Sequence, residues 1–508
     1  MVDHSSCRRK NVNNQGLSVV SVHDPRPGGV VGDLSWFRQE LLGCLSRRAD
    51  ALFELCDAVL CADGPVRSLA ELSLVAEHRR GHGASYDAVA NGRIEIGRLR
   101  RVVTGVPVPR AADGRIVLAA DVTSWLRPQA HTSPERMLCH TYGRGKDQHI
   151  MIPGWPYSFV AALEPGRTSW TAPLDAVRLA PGADLAAVTA AQVRDVVTRL
   201  INAGHWRIGD LDIWLVLDAG YDAARLAWLL RDLPVQVLAR MRSDRVLRRP
   251  APPRPPGTAG RPLRHGSEFL FADPASWGEP NVTTTTQTRL YGTATARAWY
   301  RLHPKLTRRA AWADCPVLPI LHGTVIRLDV ARLPSGAAAK PVWLWWSRGG
   351  PGHDPDPATV DLLWRAFLRR FDIEHMFRLF KQTLGWTAPR LRTPQAADRW
   401  TWLIIAAYTQ LQLARPLAVD LRRPWEQPVP PERLTPARVR RGFRHLRTNL
   451  ACPASAPKPT RPGPGRPPGR PNRQPTRRYD VHIATTGEAG KPKPKKKKSI
   501  NPRPRRTG

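Results

Sequence analysis

Two aspartates follow short apolar runs that are typical of buried strands. Asp121 comes directly after residues 116–120, and Asp218 comes directly after residues 213–217. An acidic side chain just past a strand lies at the edge of an open α/β sheet, where ligand sites form. If the two strands are neighbours, their carboxylates converge and offer the hard oxygen ligands that Mg²⁺ or Mn²⁺ prefers. The alternative is that each aspartate only caps the helix or turn that follows it.

A third carboxylate, Glu374, lies in a segment with helical periodicity, residues 364–381. Residues at steps of three or four share one helix face, so the cations on this face could hold DNA phosphates while Glu374 holds metal. The alternative is an ordinary solvated face of salt bridges four residues apart. The residues on the predicted face are Phe367, Arg370, Glu374, Arg378 and Lys381.

The chemistry that three such carboxylates could perform is metal-assisted phosphodiester hydrolysis. Two metal ions about 4 Å apart can activate the attacking oxygen and stabilise the leaving one. No covalent enzyme intermediate is required, so the sequence need not supply a protein nucleophile.

The elements from residue 116 to residue 239 predict a mixed α/β sheet, because the order is three strands, helix, strand, helix, strand. After the strand that ends at Asp121, the predicted strands are 136–142, 158–163, 213–217 and 235–239, and the predicted helices are 184–203 and 223–231.

Residues 243–350 change to short segments rich in Thr, Val and aromatic residues, which predicts a β-rich insertion with strands at 283–291, 325–330 and 342–346. Helical periodicity resumes at 358–382 and again at 396–413. The α/β core is therefore expected in two parts, residues 113–242 and residues 351–450.

The chain before the core predicts a disordered lead-in over residues 1–33 and a helical domain over residues 34–112. Leu41, Leu45, Leu52, Leu55 and Val59 follow helical spacing and predict one helix face. The arginines around residues 79–80 and 98–101 make this domain basic. It is either a DNA-binding domain of helix-turn-helix type or an ordinary helical domain with a solvated basic face.

The formal net charge of +36 suits a polyanionic partner such as nucleic acid. Residues 453–508 hold 16 Lys and Arg against Asp480 and Glu488, which leaves +22 on the rest of the chain. Residues 451–508 are poor in apolar residues and rich in Pro and Gly, so a disordered basic tail is expected. A membrane partner is not expected, because the apolar run 400–408 is far shorter than the roughly 20 residues that span a bilayer.

The seven cysteines are irregularly spaced and odd in number, which argues against a disulfide framework. Cys56 and Cys61 lie in an apolar segment with no second Cys/His pair to complete a metal site, so they are expected to be core thiols. Together with the lack of a signal peptide, this predicts a soluble intracellular protein.

Taken together, these residues resemble the DDE transposases of bacterial insertion sequences, which share the RNase H-like fold. One subgroup carries the signature Tyr-x2-Arg-x3-Glu-x6-Lys on the catalytic helix. Phe367, Arg370, Glu374 and Lys381 meet this spacing, with Phe in place of Tyr. The motif Asp-x-Gly-Tyr around the second aspartate stands here as Asp218-Ala-Gly-Tyr221.

The resemblance implies a DNA transposase that cleaves transposon ends and transfers the freed 3′-OH to target DNA. It implies that Asp121, Asp218 and Glu374 bind Mg²⁺ or Mn²⁺, as two ions, and that Arg370 and Lys381 contact phosphates. Tyr221 falls within the second-aspartate motif and is also placed among the DNA contacts. A further implied DNA contact is Trp343, which matches a tryptophan that stacks on a flipped base; its alternative is a strand aromatic packed in the core.

The implied partners are double-stranded DNA and a second copy of the chain in the synaptic complex, in the bacterial cytoplasm at the nucleoid. Two other functions stay open. One is an inactive or domesticated transposase that only binds DNA, and the other is a metal-dependent nuclease without strand transfer.

Overall fold

The computed structural model describes residues 29–142, 149–166, 168–257, 259–308, 312–313, 315–347, 354–458, 469 and 474–482. Residues 1–28 of the predicted lead-in lie outside this part of the chain. So do residues 459–468, 470–473 and 483–508 of the predicted tail.

Several helices begin at residues whose side chains cap them. Asp184 accepts hydrogen bonds from the backbone N–H groups of Ala186 and Ala187, and Thr393 caps the helix that opens with Pro394. The helices are α1 (Val30–Gly43), α2 (Ala49–Cys61), α3 (Leu69–Leu72), α4 (His82–Asn91), α5 (Ile96–Gly105), α6 (Leu185–Asn202), α7 (Ala223–Leu229), α8 (Pro357–Arg369), α9 (Phe371–Gln382), α10 (Pro394–Ala414) and α11 (Pro436–Thr448), with short 3-10 turns at Pro274–Ser276, Arg415–Leu417 and Pro431–Arg433.

The strands largely follow the apolar and β-branched runs of the sequence. They are β1 (Leu45–Arg47), β2 (Arg93–Ile94), β3 (Val117–Leu126), β4 (Met137–Tyr142), β5 (His149–Leu163), β6 (Thr171–Arg178), β7 (Ile213–Leu217), β8 (Val235–Met241), β9 (Val246–Arg248), β10 (Glu268–Leu270), β11 (Val282–Thr288), β12 (Gly292–Leu302), β13 (Gly323–Val330) and β14 (Val342–Trp346).

Within the described residues, one large mixed sheet organises the fold. Its strand order is β11-β12-β13-β14-β8-β7-β3-β5-β4, and β6 also pairs with β5. Strands β3, β7 and β8 are parallel, and β5 is antiparallel to β3. The mixed α/β class is confirmed, and the sheet is consistent with an RNase H-like fold.

Alternate residues of β3 pack on opposite faces of the sheet, as a strand buried on both sides requires. Val117 and Ala119 join a core that includes residues of α8, α9 and α10. Leu118 and Ala120 join a second core on the other face, with residues of α6 and α7. Side chains that continue the first set along β3 therefore point toward α9.

The single helix face predicted across residues 41–59 is wrong, because the chain breaks between α1 and α2. Leu45 begins the short strand β1, which pairs with β2, and Arg48 takes a left-handed backbone conformation with φ of 57°. Helices α1 and α2 also contact α10, and their apolar residues belong to the same core as those of α8–α10. The N-terminal helices thus share a core with the C-terminal ones.

The β-rich segment predicted between the two parts of the core continues the main sheet. Strand β14 pairs antiparallel with β8, with Trp345 opposite Ala239, and β13, β12 and β11 follow outward. Because β8 also pairs with β7, the segment is joined through backbone hydrogen bonds to the strand that precedes Asp218.

Part of the predicted tail makes ordered contacts. The Tyr479 N–H donates to the carbonyl oxygen of His131, and the Leu138 N–H donates to that of His482. Backbone hydrogen bonds need no apolar side chains, so composition did not predict this contact.

The expectation of core thiols is confirmed for Cys56 and Cys61, which are free and buried in α2. Burial raises the pKa of both thiols, as expected for unreactive core cysteines. Among the described helices, none combines the length and apolar content needed to cross a bilayer.

Three histidines lie against one another beside the outer part of the sheet. The Nδ1 atom of His265 is 2.9 Å from Nε2 of His303, and the ring of His303 also contacts that of His322. His303 is fully buried, and burial lowers its pKa to about 4, with His322 and His265 adding to the effect.

His303 predicts a loss of stability in mild acid. Below pH 6.5 the unfolded chain binds a proton at this position, whereas the folded chain stays neutral until about pH 4. The free energy of unfolding should therefore fall by about 2 kcal/mol between pH 7 and pH 5 from this group.

Urea titration at the two pH values measures this loss. In the variant His303→Gln, the difference between the free energies of unfolding at pH 7 and pH 5 should shrink by most of that amount. His131→Gln, at an exposed position, should leave this difference unchanged. An unaltered pH dependence in His303→Gln would contradict the assignment.

Candidate active site

Asp121 and Asp218 lie on neighbouring parallel strands, as the sequence required for their carboxylates to converge. Strand β3 pairs with β7 from Val117 to Ala119, and Asp218 follows the last residue of β7. Asp218 does not cap the next helix, because Asp222 accepts the hydrogen bond from the Arg225 N–H at the start of α7. The side chain of Asp218 therefore remains available at the sheet edge.

The position predicted for Asp121 needs a correction. It does not end its strand: β3 continues to Leu126, paired with β5, and only the pairing with β7 stops before Asp121. The aspartate thus lies where β3 and β7 part, which is why its carboxylate can reach the end of β7. Its Oδ1 accepts a hydrogen bond from the Val122 N–H at 2.8 Å.

The helix that carries Glu374 is also different from the prediction. The predicted continuous helix over residues 358–382 is broken at Arg370, so that α8 ends at Arg369 and α9 begins at Phe371. The N–H groups of Arg370 and Ile373 donate to carbonyl oxygens three residues earlier, which is a tighter turn than an α-helix. The segment contains no Pro or Gly there, so the local sequence gives no sign of the break.

Arg370 joins the three predicted carboxylates. Its Nη1 donates to Asp121 Oδ2 at 2.9 Å, and its Nη2 donates to Glu374 Oε1 at 2.9 Å and lies 3.9 Å from Asp218 Oδ2. The side chain of Arg370 is 4% exposed, whereas that of Glu374 is 47% exposed. Three acidic groups from three distant parts of the chain therefore surround one guanidinium.

The charge balance of this cluster favours a further cation. Burial raises the pKa of Asp121 to about 6, against the opposing effect of Arg370, and the negative charges of Asp218 and Glu374 raise it further. Asp218 Oδ1 is buried and has no hydrogen-bond partner among the described residues; Arg240 Nη1 lies 3.8 Å away. Carboxylate oxygens of this kind fit a divalent metal ion.

In the described part of the chain, no three or more His, Cys, Asp or Glu side chains are spaced to hold a metal ion as they stand. The cation among Asp121, Asp218 and Glu374 is Arg370. Metal ligation by this trio requires the guanidinium to move or to share the carboxylates.

Lys381 and Arg378 continue along α9 in different surroundings. Lys381 Nζ donates to Thr123 Oγ1 at 2.7 Å, and burial lowers its pKa. Because Thr123 and Asp121 lie on the same face of β3, Lys381 stands next to the carboxylate cluster. Arg378 is exposed, and no ion pair ties it to a carboxylate among the described residues.

Three predicted DNA contacts are largely enclosed by protein. Phe367 lies on the buried side of α8, in the core. Trp343 is 4% exposed and stacks on Phe271, with 4.4 Å between the ring centroids. The hydroxyl of Tyr221 is buried, and burial together with Asp121 raises its pKa. The burial of Trp343 favours the alternative of a strand aromatic packed in the core.

One aromatic ring beside the cluster was missed by the sequence analysis. Phe371, the first residue of α9, is 50% exposed, and its ring lies 5.5 Å from Cζ of Arg370. Its position suits a contact with a ligand at the carboxylates. The signal in the sequence was the position of Phe371 next to Arg370 of the signature. Because residues 358–382 were predicted to form one continuous helix, there was no reason to expect Phe371 outside the core.

Comparison with known families gives one match. Residues 40–305 match the family described as DDE superfamily endonuclease. The chain belongs to this family. The matched range contains Asp121 and Asp218 and ends before Glu374. No curated protein matches the chain.

Membership of the DDE superfamily endonuclease family indicates nuclease chemistry with DNA as the substrate. Endonucleases of this family generally use divalent metal ions, which agrees with the acidic character of the cluster.

Proposed function

We propose that the chain is a DNA transposase of the bacterial insertion-sequence type, which cleaves the ends of its element and joins them to target DNA. The observation that supports this most directly is the meeting of Asp121, Asp218 and Glu374 around Arg370 in a member of the DDE superfamily endonuclease family. The signature spacing of Arg370, Glu374 and Lys381 favours the subgroup named above.

In this proposal the three carboxylates hold Mg²⁺ or Mn²⁺, as two ions. When bound, the metal lowers the pKa of the attacking water or 3′-OH and neutralises charge on the reacting phosphate. The fold positions the three carboxylates. Asp121 accepts a hydrogen bond from the Val122 N–H, Asp218 follows the last residue of β7, and Glu374 lies in the first turn of α9.

Arg370 has two roles in the proposal. Without metal it neutralises the carboxylates, which otherwise repel one another across the sheet edge. With metal bound, its guanidinium becomes available to a DNA phosphate nearby, as the signature implies. Arg378, exposed on the same helix, and Lys381, beside Thr123, supply further positive charge along the path of the DNA.

Phe371 offers the exposed aromatic ring that the buried Trp343 does not. Stacking of one base on an aromatic ring is worth about 1–3 kcal/mol, so Phe371→Ala should weaken binding of end DNA roughly 10-fold. Because the ring is half exposed, the melting temperature should change little.

A titration with fluorescent end DNA, in EDTA to prevent cleavage, measures this loss. Phe371→Trp keeps an aromatic face and should bind nearly as the wild type does. Equal weakening by the two variants would show that the ring does not stack on DNA.

The proposed partners are double-stranded DNA and a second copy of the chain during synapsis, and the proposed location is the bacterial cytoplasm at the nucleoid. The N-terminal helices are proposed to bind DNA through their exposed arginines. Arg93 and Arg101 are exposed on β2 and α5 and are the residues to test first.

The test of the function is cleavage and joining by the purified chain. Duplexes that carry the boundary of the genomic element, defined by inverted repeats that flank the gene, are incubated with Mg²⁺ and a target plasmid. Transposition predicts cleavage at the boundary and joined products. Cleavage without joining would instead indicate a nuclease, and binding without cleavage would indicate a protein that has kept only DNA binding.

A further inference from the structure

A positively charged cavity lies away from the carboxylate cluster. It has a volume of about 760 Å³ and opens between the residues that follow α2 and the first turns of α11. None of the candidate active-site residues lines it. The Asp, Glu and Arg residues that line it are Asp63, Glu426, Arg423, Arg438, Arg440, Arg441 and Arg444.

Three of the five arginines are neutralised by carboxylates. Arg438 Nε donates to Asp420 at 2.9 Å, Arg441 Nη2 donates to Glu426 at 2.6 Å, and Arg444 Nε donates to Glu77 at 3.2 Å. These pairs fix the walls of the cavity. Among the described residues, no carboxylate forms an ion pair with Arg440 or Arg423, the other two.

Arg440 is a buried cation that forms no ion pair with a carboxylate among the described residues, although the charge of Asp63 acts on it from further away. It is 6% exposed, and its Nε and Nη1 donate to the carbonyl oxygens of Val59 and Gly64 at 3.0 and 2.9 Å. Its Nη2 is buried and has no hydrogen-bond partner in the described part of the chain. A buried charge is costly unless it is paired, so this guanidinium fits a cavity that receives an anion.

The first turn of α11 adds to the positive potential. Thr435 and Ala437 line the cavity at the N-terminal end of this 13-residue helix, and the Thr435 side chain makes no capping hydrogen bond. Pro436 has no N–H, and the N–H groups of Arg438 and Val439 donate to the Thr435 carbonyl oxygen. Among the described residues this leaves the N–H of Ala437 and the helix dipole to attract an anion such as phosphate. Arg440 and the helix terminus therefore favour the same kind of ligand.

The rim of the cavity indicates where the phosphate comes from. Arg423 lines the cavity, and its Cζ lies 5.6 Å from the ring of Trp425, which is 73% exposed. A free phosphate gains no favourable contact from an exposed indole. DNA, by contrast, places bases or sugars next to the rim when one of its backbone phosphates binds in the cavity. An exposed Trp beside an Arg whose guanidinium forms no ion pair among the described residues thus favours nucleic acid.

We propose that this cavity binds a backbone phosphate of DNA and forms a second DNA contact, separate from the carboxylate site. The inference rests on the proposed function only in taking DNA as the natural substrate. Arg440 and the start of α11 hold the phosphate, and Arg423 and Trp425 contact the neighbouring nucleotide.

The test measures binding of a 30-base-pair duplex to the full chain in EDTA, so that cleavage plays no part. Arg423→Ala should weaken binding about 10-fold near 0.1 M salt and lower the slope of log affinity against log salt by about one. Arg422→Ala, at the preceding residue, removes the same charge from an exposed position that does not line the cavity and should have little effect.

Inorganic phosphate serves as the second probe. It should raise the melting temperature of the wild-type chain and compete with DNA, and it should do neither in Arg440→Gln. If phosphate stabilises the chain but Arg423→Ala binds DNA normally, the cavity takes a free phosphate and the proposal is overturned. Equal losses in Arg422→Ala and Arg423→Ala would also overturn it, because general charge would then explain the binding.

Should Arg440→Gln fail to fold, the Arg423→Ala and Arg422→Ala pair still decides the question. Failure here is also distinct from failure of the proposed function. A chain that lacks the second contact can still cut DNA at the carboxylates, and an inactive chain can still bind DNA through the cavity.

Discussion

Replacing Asp218 by Asn should abolish DNA cleavage while leaving DNA affinity and folding nearly unchanged. The substitution keeps the shape of the side chain and removes the charge that metal binding needs. Because the charge stabilisation that a metal supplies is worth several kcal/mol, and about 4 kcal/mol corresponds to roughly 1,000-fold in rate, cleavage should fall by at least that factor.

Asp218 suits this experiment better than the other two carboxylates. Its side chain is 38% exposed, and its contacts with Arg240 and Arg370 are long, at 3.8 and 3.9 Å. Ion pairs of this kind contribute little to stability, so the melting temperature should shift only slightly. Asp121, by contrast, is held by Arg370 and by a backbone N–H, and its loss would disturb the fold as well as the chemistry.

Asp222→Asn is the matched control, since it makes the same substitution four residues later. Asn caps a helix about as well as Asp, so α7 should be preserved. Cleavage rates and DNA affinities of the two variants are compared in Mg²⁺. Wild-type cleavage by Asp218→Asn would remove this residue from the metal site, and a parallel loss of DNA affinity would make it a binding or folding residue instead.

The sequence predicted Asp218 more accurately than Asp121 for a physical reason. Strand β7 is five apolar residues buried on both faces, so the first polar residue after it marks its end. Strand β3 is buried on both faces only up to Ala120; Asp121 and Val122 are partly exposed, and buried and partly exposed positions alternate beyond them. A charged residue in that alternation resembles a strand end, and only the pairing with β5 shows that the strand continues.

The relation between Arg370 and the carboxylates could not be predicted from spacing. Residues four apart on a helix are neighbours, so the contact of Arg370 with Glu374 follows from the sequence. The contact with Asp121, 249 residues away, depends on how α9 packs across β3 and on the turn that separates α8 from α9. The spacing of residues along the chain predicts which side chains share a face of a helix or strand. It does not predict which cation forms an ion pair with a carboxylate that is distant in the sequence.

Arg370→Gln should make the stability of the chain depend on divalent metal. Without the guanidinium, Asp121 and Glu374 lose their ion-pair partner, and among the described residues only Arg240, 3.8 Å from Asp218, still pairs with one of the three carboxylates. Removing one partner of a buried ion pair costs about 3–5 kcal/mol, and the partial exposure of these carboxylates reduces the expected loss to roughly 2 kcal/mol. In EDTA the variant should therefore melt several degrees below the wild type.

Millimolar Mn²⁺ or Mg²⁺ should restore most of that loss, because a cation bound only by the folded state stabilises it in proportion to the logarithm of its concentration. In the wild type the guanidinium competes for the same carboxylates, so the rise in melting temperature with metal should be smaller. Arg378→Gln, two turns further along α9, removes a cation that no carboxylate contacts among the described residues and should respond to metal as the wild type does. If the melting temperature of Arg370→Gln does not change with metal, the three carboxylates do not form a metal site. This conclusion would hold whether or not the chain cleaves DNA.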